Sequence, residues 1–319
     1  MYSGLARFII RRTAFAAVLV LVVSSASLVL ARYAPPEDAF GTQRAVLLQE
    51  RHRLGFDQPL VQQYTQWLTR SLRLDFGESL RFRRPVAALV RERAGNTALL
   101  GISGLLLATL IGIPLGVFTG SRQGGVLVAA ARMLSYALLS LPPLVTSLVL
   151  LLVAARTGWL PAGGLPQVPR DAGALESAVI IARYLFLPSL ALALPVAASL
   201  ERLQSQSLRE VLSEPCIIAA LGRGIPYKRV IWRHALRLSL KPVIAIYGIT
   251  IGAVLSGSFV VEIVMSWQGL GDLMFQALQA RDLYLIAGCA ATGSAGLAAG
   301  ILISDLALVA VDPRVEELG

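Results

Sequence analysis

Long apolar runs separated by short polar segments dominate the chain. A helix needs about 20 apolar residues to cross the hydrocarbon core of a bilayer, and six runs reach or approach that length. Because apolar and polar residues do not alternate within them, the runs predict helices and not the strands of a membrane barrel. The six predicted spans are residues 13–31, 96–121, 133–155, 177–200, 242–261 and 283–304.

A few residues within these runs would bend a helix or carry charge. Pro142 and Pro143 remove two adjacent backbone donors, so they are the best candidates for a hinge. Arg183, Glu262 and Asp305 lie close to the ends of their spans. Headgroups and water could solvate them there, so we expect structural roles for these three side chains.

The distribution of charge predicts an orientation. Segment 201–241 carries eight cations against three acids, which places it in the cytoplasm together with the N-terminus. Segment 35–95 is then outside, and the mixture of aromatic and polar residues at 58–80 predicts amphipathic helices at the outer surface. The run at 13–31 is longer than the core of a signal peptide, which favours an uncleaved first span. Asn96 offers a capping side chain where the second span is predicted to begin.

Composition supports the membrane class and limits the chemistry. Apolar residues make up 55% of the 319 residues, charged residues only 15%, and the mean hydropathy is +0.67. The net charge of +10 comes from cations between apolar runs, which indicates anchoring at lipid headgroups and not nucleic-acid binding. Cys216 and Cys289 fall in different environments, so neither a disulfide nor a metal site is expected.

The two lysines, Lys228 and Lys241, do not lie in a phosphate-binding loop of the G-x-x-x-x-G-K-[ST] type. The chain is therefore not itself an ATPase, and we expect it to contain no cofactor. If it takes part in ATP-driven transport, separate subunits must hydrolyse the nucleotide.

Segment 201–241 contains a helix, a glycine-containing break and a second helix. The apolar piece 216–221 precedes Gly222-Arg223-Gly224, and a helical stretch is predicted at 228–240. Glycine allows a sharp turn, so this element could dock into a cleft of another protein. An ordinary basic loop held to anionic lipid is equally compatible with the composition.

The residues of this element resemble the cytoplasmic coupling motif of ABC importer permeases, and in particular the B-type (DppB/OppB-like) permeases of dipeptide, oligopeptide and nickel importers. That motif reads Glu-Ala-Ala, three residues, Gly, nine residues, then Ile-x-Leu-Pro. Its positions here are Ile218-Ala219-Ala220, Gly224 and His234-Ala235-Leu236. Further segments that resemble the family, in order along the chain, are residues 9–12, 32–35, 54–60, 74–79, 113–116, 158–161, 261–262, 267–271 and 312–314.

The sequence departs from the family pattern at three positions. Ile218 replaces the motif glutamate, and Gln268 stands where proline is usual. Pro215 enters the coupling region where an acidic residue is commoner, and it should mark the first turn of the coupling helix because proline does not fit a helix interior.

The resemblance implies an all-α membrane protein with six transmembrane helices of the type I importer permease fold. It divides the chain into an N-terminal end and first helix (1–34), an extracytoplasmic helical segment (35–95), a permease core (96–312) and a cytoplasmic tail (313–319). The implied partners are a second homologous permease, two ABC ATPases and an extracytoplasmic solute-binding protein. The residues implied to couple to an ATPase are Ile218, Ala219, Ala220, Gly222, Arg223, Gly224, His234 and Leu236.

Two other classes remain to be weighed. A proton-coupled secondary transporter would need carboxylates or histidines near the middle of the membrane. An intramembrane serine protease could use Ser103, which lies in a G-x-S-G sequence, but it would need a base, and both His52 and His234 fall outside the predicted spans. The sequence alone does not identify a transported solute.

Overall fold

The computed structural model of the chain describes residues 10–15, 17–23, 25–26, 62, 65, 69–70, 75–122, 124–166, 169 and 171–311. The described part is helical, and its isolated β-bridge joins Glu78 to Pro85. The helices are α1 (Val86–Gly120), α2 (Val126–Leu139), α3 (Pro143–Thr157), α4 (Ala174–Leu212), α5 (Pro215–Gly222), α6 (Tyr227–Arg229), a π-helical stretch (Val230–Ala235), α7 (Leu236–Ala245), α8 (Tyr247–Val264), α9 (Leu270–Ala280) and α10 (Leu283–Val311).

Four helices of the described part are each long and apolar enough to cross a membrane, namely α1, α4, α8 and α10. Their backbone groups are bonded within the helix, as a lipid environment requires. In the predicted first span, described residues 13–15, 17–23 and 25–26 are helical, whereas 16, 24 and 27–31 lie outside the described residues. Most of the predicted outer amphipathic segment 58–80 also lies outside them.

The predicted span 133–155 is wrong as a single helix. It is divided between α2 and α3, which are bent by 109° at a short break. Pro142 precedes α3 in an extended conformation and Pro143 occupies its first turn, where a missing backbone donor costs nothing. The break therefore lies at the two prolines, whereas Pro188 and Pro195 are accommodated inside the continuous helix α4.

Several helices extend beyond the apolar runs. Helix α4 has 39 residues and α1 has 35, because polar residues outside the hydrocarbon continue the helical hydrogen bonding. Asn96 consequently lies inside α1 and does not cap it, so that prediction is wrong; its side chain donates to the carbonyl of Gln268 at 2.8 Å. The fifth span begins at Tyr247 and not at Pro242, which lies inside α7.

The chain divides into two compact units. The first comprises the described residues of Met1–Arg12, Ala98–Trp267 and Ala299–Gly319, and the second those of Thr13–Thr97 and Gln268–Ala298. The core of the first unit contains Trp267 and Met265, both almost fully buried, together with apolar residues of α1, α3, α4 and α8. Glu262 is also fully buried there (0% exposed), so the expectation that solvent reaches it is wrong.

Helices α1 and α4 of the first unit approach closely along a row of glycines spaced four residues apart. A Cβ atom on Gly112 would lie 2.6 Å from the carbonyl oxygen of Ala197, and one on Gly116 would lie 2.8 Å from that of Glu201. Gly120 continues the row against Ser205. Small residues at four-residue spacing are the usual means by which membrane helices bring their backbones together.

The second unit has its own apolar core and a buried carboxylate. Its core contains Val86, Leu89 and Val90 of α1 packed with residues of α9 and α10. Asp282 precedes α10 and accepts from the hydroxyl of Ser79 at 2.5 Å and from the backbone N–H groups of Arg81 at 3.2 Å and Leu285 at 3.2 Å. It therefore caps α10 and holds the segment that precedes α1. Burial raises the pKa of Asp282 above its usual range, although these hydrogen bonds oppose the shift.

Asp282→Asn should destabilise the protein most at acidic pH. The amide has one acceptor oxygen where the carboxyl has two, so at least one buried donor loses its partner, at a cost of about 1–3 kcal/mol. A carboxyl whose pKa is raised on folding stabilises the folded state below its ordinary pKa of about 3.9, and this contribution is lost as pH rises through the raised value. The stability gap between wild type and variant should therefore narrow as pH rises.

The measurement is the apparent melting temperature in detergent from about pH 4 to pH 8. Asp272→Asn, in the first turn of α9, serves as a control for the general loss of one carboxylate. A gap that widens with increasing pH would contradict the assignment of a raised pKa to Asp282.

Candidate docking site

The first helix of the helix–glycine–helix element within segment 201–241 is α5. Proline defines its beginning and glycine its end. Pro215 occupies the first turn, as the sequence predicts, and Glu214 precedes it in an extended conformation. The helix ends at Gly222, and the N–H of Gly224 donates to the carbonyl of Leu221 at 2.9 Å. Gly224 has φ = +78°, a conformation that favours glycine because it lacks a Cβ atom. The chain can therefore reverse direction immediately after α5.

Helix α5 is attached to the rest of the first unit through one face only. Ile217 is 2% exposed and inserts into an apolar cluster, whereas its neighbour Ile218 is 57% exposed. Ala219 and Gly222 are exposed as well. The buried residues of the cluster that receives Ile217 are Val117, Leu208, Val211, Val230, Ile231 and Ala235. One face of α5 is thus fixed, and the opposite face is open.

Polar contacts join the same element to the membrane helices. The amide of Gln204 in α4 donates to the hydroxyl of Ser239 in α7 at 2.8 Å, and the hydroxyl of Ser207 donates to the carbonyl of Ser239 at 3.0 Å. The hydroxyl of Tyr227 donates to the carbonyl of Ser121, just after α1, at 2.7 Å. The helical run that follows α5 is therefore bonded to the ends of both α1 and α4.

A buried carboxyl group lies where α1 and α4 meet. Glu201 is 2% exposed and accepts a hydrogen bond from the hydroxyl of Thr119. The guanidinium of Arg132 in α2 donates to the backbone carbonyl of Thr119 at 2.9 Å. The sequence places Glu201 at the start of a polar loop, so its burial inside a helical contact could not be read from the apolar pattern.

A groove of about 430 Å³ lies between α5 and the helical stretch that follows it. Of the residues predicted to couple to an ATPase, Ala220 and His234 line this groove. Leu236 packs against the cluster around Ile217. The other predicted residues lie on the exposed side or at the turn: Ile218, Ala219, Gly222, Arg223 and Gly224. Their contact with an ATPase stays a prediction.

The helix that follows the turn contains a π-helical stretch at Val230–Ala235. Such stretches are rare, contain one residue more than a regular turn, and are frequently found at functional sites. His234 of the motif lies in this stretch, and Val230, Ile231 and Ala235 are its buried members. The sequence predicts a plain helix at 228–240, so the π-helical geometry is a finding of the structure.

The remaining candidates have local partners. Asp305 forms an ion pair with Arg12 at 3.0 Å, and the guanidinium of Arg183 donates to the carbonyl of Trp159 at 3.4 Å. Both contacts agree with structural roles. The hydroxyl of Ser103 donates to the carbonyl of Leu99 at 2.6 Å. Among the residues that the structure describes, no group of three or more His, Cys, Asp or Glu side chains could hold a metal ion.

Apolar helices long enough to span a bilayer, joined to a basic element at one end, define an integral membrane protein. The chain belongs to the family of binding-protein-dependent transport system inner membrane components, which it matches over residues 112–317. Residues 5–92 match the N-terminal region of the membrane components of the same systems.

Curated relatives resemble the chain over most of its length. The oligopeptide transport system permease protein AppB of Bacillus subtilis (strain 168) is 31% identical over 319 residues, which cover 98% of this chain and 100% of AppB. The oligopeptide transport system permease protein OppB of Mycobacterium tuberculosis (strain ATCC 25618 / H37Rv) is 30% identical over 281 residues, 85% of each chain. The glutathione transport system permease protein GsiC of Escherichia coli O1:K1 / APEC is 29% identical over 266 residues, 83% of this chain and 82% of GsiC.

Membership of this family confirms the predicted resemblance to ABC importer permeases. It also confirms the predicted type I importer permease fold. The chain is the membrane translocation subunit of a binding-protein-dependent ABC importer, a transport component and not an ATPase. It acts within a complex that contains other ABC components. This replaces both the secondary transporter and the protease as interpretations of the apolar bundle.

Ile217→Ala should loosen α5 from the bundle, whereas Ile218→Ala should not. Truncating the buried Ile217 removes apolar contacts and leaves a cavity, at a cost of about 2–5 kcal/mol. Ile218 is mostly exposed, so its truncation should change stability by about 0.5 kcal/mol or less. Protease sensitivity of 213–229 in the purified protein measures the difference. Equal sensitivity of the two variants would show that Ile217 does not hold the helix.

Proposed function

We propose that this chain forms half of the translocation path of an ATP-driven importer and pairs with a second homologous permease. Two ABC ATPases bind on the cytoplasmic side, and an extracytoplasmic solute-binding protein delivers the solute from outside. The observation that carries the proposal is the open face of α5. Ile218 and Ala219 are exposed on this face, whereas the adjacent Ile217 is buried against the rest of the unit. An apolar surface on a firmly held helix suits insertion into a protein cleft.

The proposed orientation follows from charge. The chain lies in the bacterial inner membrane as a multi-pass protein with six spans and with both termini in the cytoplasm. Segment 201–241, with its excess of cations, is then cytoplasmic, as the positive-inside rule requires. Segment 35–95 faces the solute-binding protein. The ATPases meet α5 on the inner side, so energy and solute enter the subunit from opposite sides.

Coupling requires an element with two arrangements that both the ATPase and the solute site influence. In the proposed mechanism, ATP binding closes the ATPase pair and moves α5. The residues that couple this motion to the ATPase are those of the motif and the following helix, namely Ile218, Ala219, Ala220, Gly222, Arg223, Gly224, His234 and Leu236. The cluster around Ile217 and the Gln204–Ser239 hydrogen bond transmit the motion to α4. The break at Pro142 and Pro143 supplies a hinge.

The proposed solute is a peptide. The relatives named above are permeases of oligopeptide and glutathione systems, and another relative, the dipeptide transport system permease DppB of Bacillus subtilis (strain 168), is 29% identical over 316 residues. These solutes share a peptide backbone and differ in length. We therefore propose the class of peptides and not a particular member of it.

Ala219→Arg should separate the permease from its ATPases without unfolding it. Ala219 lies on the open face of α5, so the added guanidinium is exposed to solvent in the free subunit. In the complex it would be buried against the wall of the ATPase cleft, where an unpaired charge is costly. We expect about a tenfold or greater loss of co-purified ATPase and of ATP-dependent peptide uptake. Leu175→Arg is the matched control, because Leu175 is 81% exposed at the other end of α4.

Normal assembly and uptake by the Ala219→Arg complex would overturn the docking assignment. Equal losses in both variants would show that an added cation is harmful anywhere on the subunit, and this result would also count against α5 as the specific contact. A second readout, peptide-stimulated ATP hydrolysis, separates a complex that assembles but no longer couples from one that does not assemble.

A further inference from the structure

A tight turn in the second unit, at residues 79–84, precedes α1 and carries three exposed arginines, Arg81, Arg83 and Arg84. The guanidinium of Arg81 donates to the carbonyl of Gln276 in α9 at 3.4 Å, and Arg84 forms an ion pair with Glu92. In the part of the chain that the structure describes, the guanidinium of Arg83 forms neither a hydrogen bond nor an ion pair. Arg83 therefore presents an exposed charge whose N–H groups are open to another molecule.

Hydrogen bonds hold the backbone of this turn in one conformation. The N–H of Arg83 donates to the carbonyl of Ser79 at 2.9 Å, and the N–H of Ser79 donates to the carbonyl of Arg84 at 3.0 Å. The hydroxyl of Ser79 accepts from the N–H of Phe82 at 3.1 Å and donates to the buried Asp282. Because the backbone is already ordered, a partner that binds the turn does not have to order it, which favours binding.

The backbone conformation of Arg83 is unusual for a residue with a side chain. Its φ is +50°, in the left-handed region that glycine adopts readily and other residues adopt at a cost in strain. A turn that needed only this backbone would accommodate glycine with less strain. Residues held in such conformations cluster at functional sites. The arginine side chain is therefore an addition that the turn itself does not require.

The turn lies beyond the lipid headgroups on its side of the membrane. The charged residues Arg91, Glu92 and Arg93 of α1 do not fit in hydrocarbon, so the lipid-covered part of α1 begins after them. Val86, the first residue of α1, is seven residues before Arg93, which at 1.5 Å per residue is about 10 Å. The headgroup layer is about 5–7 Å thick. A protein that docks on this side can therefore reach Arg83 without displacing lipid.

Helix α10, which begins beside the turn, agrees with this level. Its 29 residues correspond to about 43 Å, whereas the hydrocarbon core is about 30 Å thick, so about 13 Å of the helix extends beyond it. Residues 283–289 at its start are buried in the core of the second unit and not exposed to lipid. The start of α10 is thus covered by protein, as expected of a segment outside the hydrocarbon.

We propose that Arg83 anchors the extracytoplasmic solute-binding protein by pairing with a carboxylate in an acidic patch of that protein. This inference rests on the proposed function, which places segment 35–95 on the outer side. Arginine is enriched among the residues that dominate binding energy at protein interfaces, and its fork of N–H groups matches a carboxylate. Arg81, which bonds to a neutral carbonyl, adds to the positive potential of the turn, so the surface that complements it is acidic.

Three substitutions of Arg83 separate its charge from its backbone. Arg83→Gly and Arg83→Gln remove the charge, whereas Arg83→Lys keeps it without the fork of N–H groups. Glycine suits φ = +50°, so the melting temperature of the Arg83→Gly protein should not fall below that of wild type. The matched control is Arg156→Gln, which removes an exposed cation from the last turn of α3, at the outer end of that helix in the proposed orientation.

Each complete importer is reconstituted in nanodiscs and titrated with the purified, peptide-loaded solute-binding protein of the same importer. The measurement is the concentration of binding protein that gives half-maximal ATP hydrolysis. Arg83→Gly and Arg83→Gln should raise this concentration about tenfold or more, and Arg83→Lys should raise it less. Added salt should weaken the wild-type interaction more than that of Arg83→Gln, because it screens exposed charges. The Arg156→Gln importer should behave as wild type.

An unchanged half-maximal concentration for Arg83→Gly and Arg83→Gln would overturn the proposal, as would an equal rise for Arg156→Gln. Two other results would assign the turn to a different partner and overturn it as well. One is loss of the second permease from the Arg83→Gln complex on gel filtration. The other is a difference from wild type that is seen in nanodiscs containing phosphatidylglycerol and not in phosphatidylcholine alone, which would indicate a lipid contact.

Failure of the proposed function has a different signature in the same titration. A wild-type complex whose ATP hydrolysis does not respond to the binding protein would contradict the proposed function, and the role of Arg83 would fall with it. A wild-type complex that responds, beside Arg83 variants that respond equally well, would contradict the role of Arg83 alone.

Discussion

The close approach of α1 to α4 is the contact on which the rest of the first unit depends. The glycines at 112, 116 and 120 bring the two backbones within van der Waals distance, which aligns the cytoplasmic ends of the helices in the proposed orientation. Thr119 then reaches the buried Glu201, and Val117 joins Leu208 in the cluster that receives Ile217. A wider separation of the helices would remove the cavity in which α5 is held.

Two buried polar side chains of α4, those of Glu201 and Gln204, accompany this contact, and each forms a hydrogen bond with another helix. Glu201 and Gln204 lie one turn apart on α4, where they bond to Thr119 and Ser239 on two other helices. Because an unsatisfied polar group in a low-dielectric interior costs several kcal/mol, such bonds specify which residues meet even if they add little net stability. The packing of α4 against its neighbours is therefore fixed in register by polar atoms as well as by the glycine row.

The sequence predicts the helices well and their ends poorly. Apolar runs locate α4, α8 and α10, because lipid admits no other backbone arrangement, but they underestimate α4, since polar residues beyond the hydrocarbon continue it. The adjacent prolines predict the break in 133–155, although not its 109° bend. In 216–221 every residue is similarly apolar or small, so only the folded structure distinguishes the buried Ile217 from the exposed Ile218.

The π-helical stretch at Val230–Ala235 introduces a phase offset into the helical run that starts at Tyr227. The wider turn contains one additional residue. The side chains before and after it therefore differ in direction from those at the same positions of an uninterrupted α-helix. Ser239 can thus keep its register against α4 while Tyr227 reaches the end of α1. The wider turn thus sets a fixed rotational offset that lets a single helical run contact the end of α1 at one end and α4 at the other.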